Sequence, residues 1–133
     1  MYNLIEREDF WVLDIHNIVT GCRIGSGFDL QIFNGENPLL ISMGGIFTLH
    51  RGDNAQSFHP EEYTTLGPSL SVIGKVVESA IAYKNGHLEV KFLDGSLLTA
   101  EPDPQYESWH IFGDTEPRMT IVCGIGGQLH IWY

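Results

Sequence analysis

Positive charge is scarce in this 133-residue sequence: 7 Lys and Arg stand against 17 Asp and Glu, for a formal net charge of -10 at pH 7. Gripping nucleic acid takes several cations to neutralise phosphates, and docking on anionic lipid needs the same. Neither a direct nucleic-acid partner nor a membrane surface is expected. Cysteine is nearly absent. Cys22 and Cys123 lie in separate apolar stretches, which suits reduced buried thiols better than a disulfide framework or a metal pair. No run approaches the about 18 apolar residues of a membrane-crossing helix. Met1 to Phe10 carries Glu6, Glu8 and Asp9 around Arg7, where a secretory leader has a basic start and an apolar core. The expected location is the cytoplasm.

With 43% hydrophobic and 18% charged residues, the composition is that of an ordinary globular chain, read as a single domain over 1–133. Strand signals dominate. Asn85-Gly86 favours a type I′ hairpin turn, since both residues tolerate positive φ. Val76 to Tyr83 precedes it. Leu88-Glu89-Val90-Lys91-Phe92 follows, alternating apolar and charged as a half-buried strand does. Asp94-Gly95 then turns the chain into Ser96 to Ala100, completing a three-stranded meander.

The first half echoes this pattern. Phe28 to Gly35 aligns with Leu88 to Gly95, with the turn in the same place and an apolar strand after each, Leu39 to Ser42 and Leu97 to Ala100. This reads as a diverged duplication of a meander. Further strands are expected at Trp11 to Ile15, Cys22 to Ile24, Gly45 to His50, Tyr106 to Phe112, Met119 to Cys123 and Gln128 to Trp132. Pro68 to about Ile73 suits a short helix ended by Gly74, and His59-Pro60-Glu61-Glu62 suits the start of a single turn. The expected class is mainly β, a β-rich α+β fold of antiparallel meanders with about 8–10 strands and one or two short helices.

Candidate chemistry is sparse. Glu107 and His110, three apart in an expected strand, point to opposite faces, so they do not form a metal pair. His110 and His130 lie on different strands and can converge only through the fold. Cys22 next to Arg23 has a cation that could lower a thiol pKa, but no partner base accompanies it. Gly25-Ser26-Gly27 lacks the spacing of a nucleophile elbow. Gly124-Ile125-Gly126-Gly127 is a turn and not a phosphate cradle, because no helix follows. No cofactor, metal or catalytic residue is assigned.

The distribution of acid is more informative. Asp94 to Pro117 holds Asp94, Glu101, Asp103, Glu107, Asp114 and Glu116 with no Lys or Arg, and Gly52 to Gly74 holds Asp53, Glu61 and Glu62 likewise. Phe58, Tyr63, Tyr106, Trp109 and Phe112 lie among them. Aromatic anchors within charge describe an interface with a basic protein, although any one of these aromatics can equally belong to the core. Trp109 in particular shares a strand face with Ile111.

Three runs carry a resemblance: Gly86 to Ser96, then Tyr106-Glu107-Ser108-Trp109, then Cys123 to Trp132. Together they resemble an uncharacterised bacterial family, domain of unknown function 6188, through a G-x-L-x-L-x-F-x-D-G hairpin, a Y-E-x-W strand and a P-G-G-x-L-x-x-W ending. Here Ile125 replaces the proline. The resemblance covers the C-terminal half, and it speaks for fold more than for activity. In size and acidity the chain is also similar to the immunity proteins of polymorphic and contact-dependent toxin systems, which bind and block a toxin's effector domain. The expected function is therefore a cytoplasmic immunity protein, not an enzyme, that occludes a basic toxin domain. Its expected partner-binding residues are Glu61, Glu62, Tyr63, Glu101, Asp103, Tyr106, Glu107, Trp109, Asp114 and Glu116. The alternative is a small-ligand or metal-binding β protein, or an enzyme, that uses His110, His130 and a carboxylate. A self-associating module is a third reading.

Overall fold

Side-chain alternation and glycine turns set most of the strands seen in the computed structural model, which describes residues 2–33, 38–114 and 118–133. They are β1 (Asn3–Glu6), β2 (Phe10–Ile24), β3 (Phe28–Ile32), β4 (Leu39–Met43), β5 (Phe47–Arg51) and β6 (Asn54–Phe58), followed by β7 (Val76–Tyr83), β8 (Leu88–Phe92), β9 (Leu97–Ala100), β10 (Trp109–Gly113), β11 (Met119–Cys123) and β12 (Leu129–Trp132). They form a 12-stranded sheet in the order β12-β11-β10-β4-β3-β2-β7-β8-β9-β5-β6, with β1 beside β2.

The protein is mainly β, as expected, and it holds more strands than the pattern implied. β1 and β6 were not foreseen. β6 exposes Asn54, Ala55, Gln56 and Ser57 and so has no alternation to read. It is a strand because a two-residue turn, with Gly52 at φ 58, folds it back onto β5. The helical part shrinks to 3₁₀ turns at Tyr63–Thr65, Gly67–Val72 and Ile125–Gly127, and the described residues contain no α-helix. Tyr106 to Ser108 are not strand. The Ser108 carbonyl instead accepts from the loop amides of Gly44 and Gly45, at 2.8 and 3.1 Å, and the ladder begins at Trp109. The expected turn at Asn34-Gly35 lies outside the described residues.

The two strands expected at Trp11 to Ile15 and Cys22 to Ile24 are the single strand β2. Its first half pairs with β1 and β7, and its second half with β3. The change falls at His16, whose φ is 47, beside a register shift between Asp14 and Asn17. Such bulges bend a strand and deepen its twist. The bend lets the sheet close over its own apolar face. Phe28 of β3 stacks on Phe47 of β5 at 4.8 Å, and Phe47 on Phe58 of β6 at 5.3 Å. Val19, Leu30, Ile41, Val90, Leu98 and Ile111 are fully buried between the layers.

Pairing on the two sides of β2 follows one scheme. β2, β3 and β4 form a meander, and the β10–β11 hairpin adds to β4. β7, β8 and β9 form a second meander, and the β5–β6 hairpin adds to β9. Phe28, Met43, Trp109 and Cys123 stand side by side in one ladder. Leu88, Ala100, Phe47 and Phe58 stand in the corresponding row of the other. A register shift falls between Val19 and Gly21 in the first and between Val77 and Ser79 in the second.

Candidate binding site

The connection from β4 to β5 is Gly44-Gly45-Ile46, and it leaves Ile46 50% exposed. Two clefts meet there. One, of about 240 Å³, is lined by Ile46, Thr48, Thr99, Glu101, Asp103 and Tyr106 among others. Its neighbour, of about 160 Å³, is lined by Ile46, His59, Glu61, Glu62 and Tyr106 among others. Ile46 and the 45% exposed Tyr106 belong to both. Carboxylates from two segments about 40 residues apart thus converge on one apolar strip.

The electrostatics join the same groups. Burial, then the charge of Asp103 and that of Glu61, push the Tyr106 phenol above its ordinary pKa. Asp103 is held in place, since its Oδ1 accepts from Gln105 N at 2.8 Å and its carbonyl accepts from Gly126 N at 2.8 Å. Glu101 Oε1 lies 2.5 Å from His87 Nδ1, whose Nε2 lies 3.3 Å from Glu89 Oε2. The ion pairs formed by Lys and Arg lie elsewhere: Arg23 with Asp29, Lys75 with Asp94, Lys84 with Glu6 and Arg118 with Asp114. Among the described residues, no Lys or Arg pairs with Glu61, Glu62, Glu101 or Asp103.

The structure does not gather every expected residue. Tyr63 is 58% exposed, in the 3₁₀ turn beside Glu62. Glu107 is exposed but lines neither cleft. Asp114 belongs to a separate apolar recess with Phe33, Pro38 and Phe112. It lies five residues beyond Trp109, roughly 17 Å along the strand direction, and pairs with Arg118 at 3.5 Å. Glu116 lies outside the described residues. Trp109 is no surface anchor: it is 1% exposed, and its indole N–H donates to the Gly86 carbonyl at 2.8 Å. Ile46, Thr48, Thr99 and His87 were missed. Of these only Ile46 has a sequence signal, an apolar residue directly after a glycine pair.

The other candidate groups, Cys22, His110 and His130, line neither cleft. Burial first, then the charge of Asp29, push the Cys22 thiol up to about 11, so Arg23 does not activate it. His110 and His130 both pair with Val122, on β10 and β12 respectively, which leaves a strand between them. Among the described residues no three His, Cys, Asp or Glu side chains are placed to hold a metal ion, and no helix is long and apolar enough to cross a membrane.

The resemblance motifs meet at Gly86, next to Pro102 of the first cleft. A Cβ on Gly86 would come within 2.6 Å of Gly127 Cα and 2.9 Å of Pro102 Cβ, and both glycines have positive φ, 99 and 105. The Trp109 indole and the Cys123 thiol, the latter at 3.6 Å, both reach the Gly86 carbonyl. The hairpin, strand and terminal motifs therefore lock the two layers together. The sequence model of a family described as a family of unknown function (DUF6188) matches residues 11–133. That span includes β3, β4 and all of β2 but Phe10, so the likeness is not confined to the C-terminal half. No curated protein and no solved structure matches the chain.

Proposed function

The chain belongs to the DUF6188 family of unknown function, and from its groove we propose that it is an immunity-type protein that occludes a basic effector domain in the cytoplasm. The observation that carries this reading is the convergence of Glu61, Glu62, Glu101 and Asp103 on Ile46 and Tyr106. The apolar strip supplies a desolvated centre, and the carboxylates supply a ring complementary to cations. Occlusion needs no catalytic group: the carboxylates take the place that phosphate would hold on the effector. The net charge of -10 would steer encounter at up to about 10⁸–10⁹ M⁻¹s⁻¹ at low salt. The matched registers and matched bulges of the two ladders also support a diverged duplication.

The test is affinity capture with tagged protein from extract of its source cell at low and high salt, with mass spectrometry of the eluate. A stoichiometric basic partner, weakened by salt and lost when Glu61, Glu62, Glu101 and Asp103 are all changed to Lys, is the expected result. Asp114→Lys should leave capture intact. Capture that survives the fourfold reversal, or a partner with no basic surface, overturns the proposal.

A further inference from the structure

The tip of the β5–β6 hairpin departs from the apolar pattern of the face it belongs to. Cross-strand pairs on the core face run Phe47–Phe58, Leu49–Gln56 and Arg51–Asn54. Phe47, Phe58 and Leu49 are buried, while Gln56, Arg51 and Asn54 are exposed. The corresponding pairs of β10–β11, Trp109–Cys123, Ile111–Ile121 and Gly113–Met119, are buried throughout. Polar side chains thus continue the core face at the tip, where the hairpin leaves that face open to solvent. They border a recess of about 440 Å³, lined also by Leu49, Ala55 and Pro68, a size typical of small-molecule sites, about 300–1,000 Å³.

We infer that this recess binds a carboxylate group, with Arg51 as its charge partner and the amides of Asn54 and Gln56 orienting it. In a chain of net charge -10, Arg51 forms no ion pair among the described residues. Its contact is a 3.4 Å bond from Nη2 to the Pro68 carbonyl, which leaves most of its donors free. A guanidinium presents a planar fork that fits a carboxylate through two parallel hydrogen bonds. The tight Gly52-Asp53 turn sets Arg51 directly across from Asn54. Leu49 and Pro68 offer apolar contact to the carbon skeleton of the ligand. The surrounding negative field opposes a phosphate dianion more strongly than a carboxylate monoanion.

The experiment is NMR of ¹⁵N-labelled protein, following the Arg51 Nε–H and the Asn54 and Gln56 side-chain amides. Sodium acetate, a tripeptide with a free C-terminal carboxylate, the same tripeptide amidated, inorganic phosphate and sodium chloride are added at matched ionic strength. Acetate and the free-acid peptide should give saturable shifts, weakened about tenfold or more in Arg51→Gln and less in Arg51→Lys, which keeps the charge but loses the fork. Tighter binding of the peptide than of acetate would identify a chain terminus as the source of the carboxylate, and equal binding a free small acid. The amidated peptide should not saturate. Identical shifts with chloride, unaltered acetate binding in an Arg51→Gln variant with wild-type melting, or saturation by phosphate alone would each overturn the assignment. The fourfold Lys variant of the acidic groove should still bind acetate at this recess, no more weakly than wild type since its negative field is smaller, so failure of one reading is separable from failure of the other.

Discussion

The β5–β6 and β10–β11 hairpins occupy matching places in their ladders and use their core faces differently. In β10–β11 the apolar stripe runs through Trp109, Ile111, Met119, Ile121 and Cys123 to the last pair of the ladder, Gly113–Met119. In β5–β6 it stops after Phe47, Leu49 and Phe58, and the tip is polar and open. Once a hairpin's root is packed, here by the Phe28–Phe47–Phe58 stack, its tip is released from the demand for apolar residues. Open polar surface collects where packing has been satisfied elsewhere. The root of β10–β11 carries the opposite burden, because Trp109 spans the two layers to Gly86.

The most severe break in this comparison is Trp109→Ala. It removes a fully buried ring and leaves the Gly86 carbonyl without its indole donor, at a cost of about 3–5 kcal/mol. Trp109→Phe keeps apolar volume and loses the donor, and should cost about 1–3 kcal/mol. Urea unfolding of both variants checks this. A loss below about 1 kcal/mol for Trp109→Ala would mean that the joint does not depend on the indole.

An exchange at corresponding positions sharpens the comparison. Ile121 and Gln56 hold equivalent places opposite Ile111 and Leu49. Ile121→Gln forces an unpaired amide into a site 1% exposed and should cost about 3 kcal/mol. Gln56→Ile, at an exposed position, should change stability by no more than about 0.5 kcal/mol. Similar costs in the two directions, measured by thermal melting, would show that the β5–β6 tip is packed after all.

Legibility in the sequence followed the same division. The β7–β8–β9 meander was readable because Asn85-Gly86 and Asp94-Gly95 punctuate strict alternation. β6 was not, since an edge strand with both faces in solvent leaves no period to detect. The bend of β2 at His16 was hidden as well, because a bulge breaks the alternation and imitates a loop between two strands. The acidic segments were visible as charge runs. Their convergence was not, because it depends on the crossing at Gly44-Gly45-Ile46 that brings Glu61 within the field of Tyr106. Trp109 and Tyr106, three residues apart, look alike in sequence, and only burial separates an anchor of the core from a candidate anchor of the surface.

The gentlest test concerns the β8–β9 turn, where Asp94 accepts from the Ser96 amide and hydroxyl at 2.9 and 2.6 Å and pairs with Lys75. The Lys75 ammonium, and next the two Ser96 donors, hold the Asp94 carboxyl well below the usual carboxylate range. A folded pKa depressed in this way stabilises the fold above the unfolded value of about 3.9, and the contribution is lost as pH falls through the folded pKa. Asp94 is 48% exposed at its side chain, so solvent and salt screen the pair and the effect at neutral pH should not exceed about 1 kcal/mol. Asp94→Asn should therefore melt slightly below wild type at pH 7, with the gap narrowing at high salt and closing as the pH is lowered below about 3. A gap that persisted unchanged into acid would assign the turn's stability to backbone geometry at Gly95, φ 91, and not to the carboxylate.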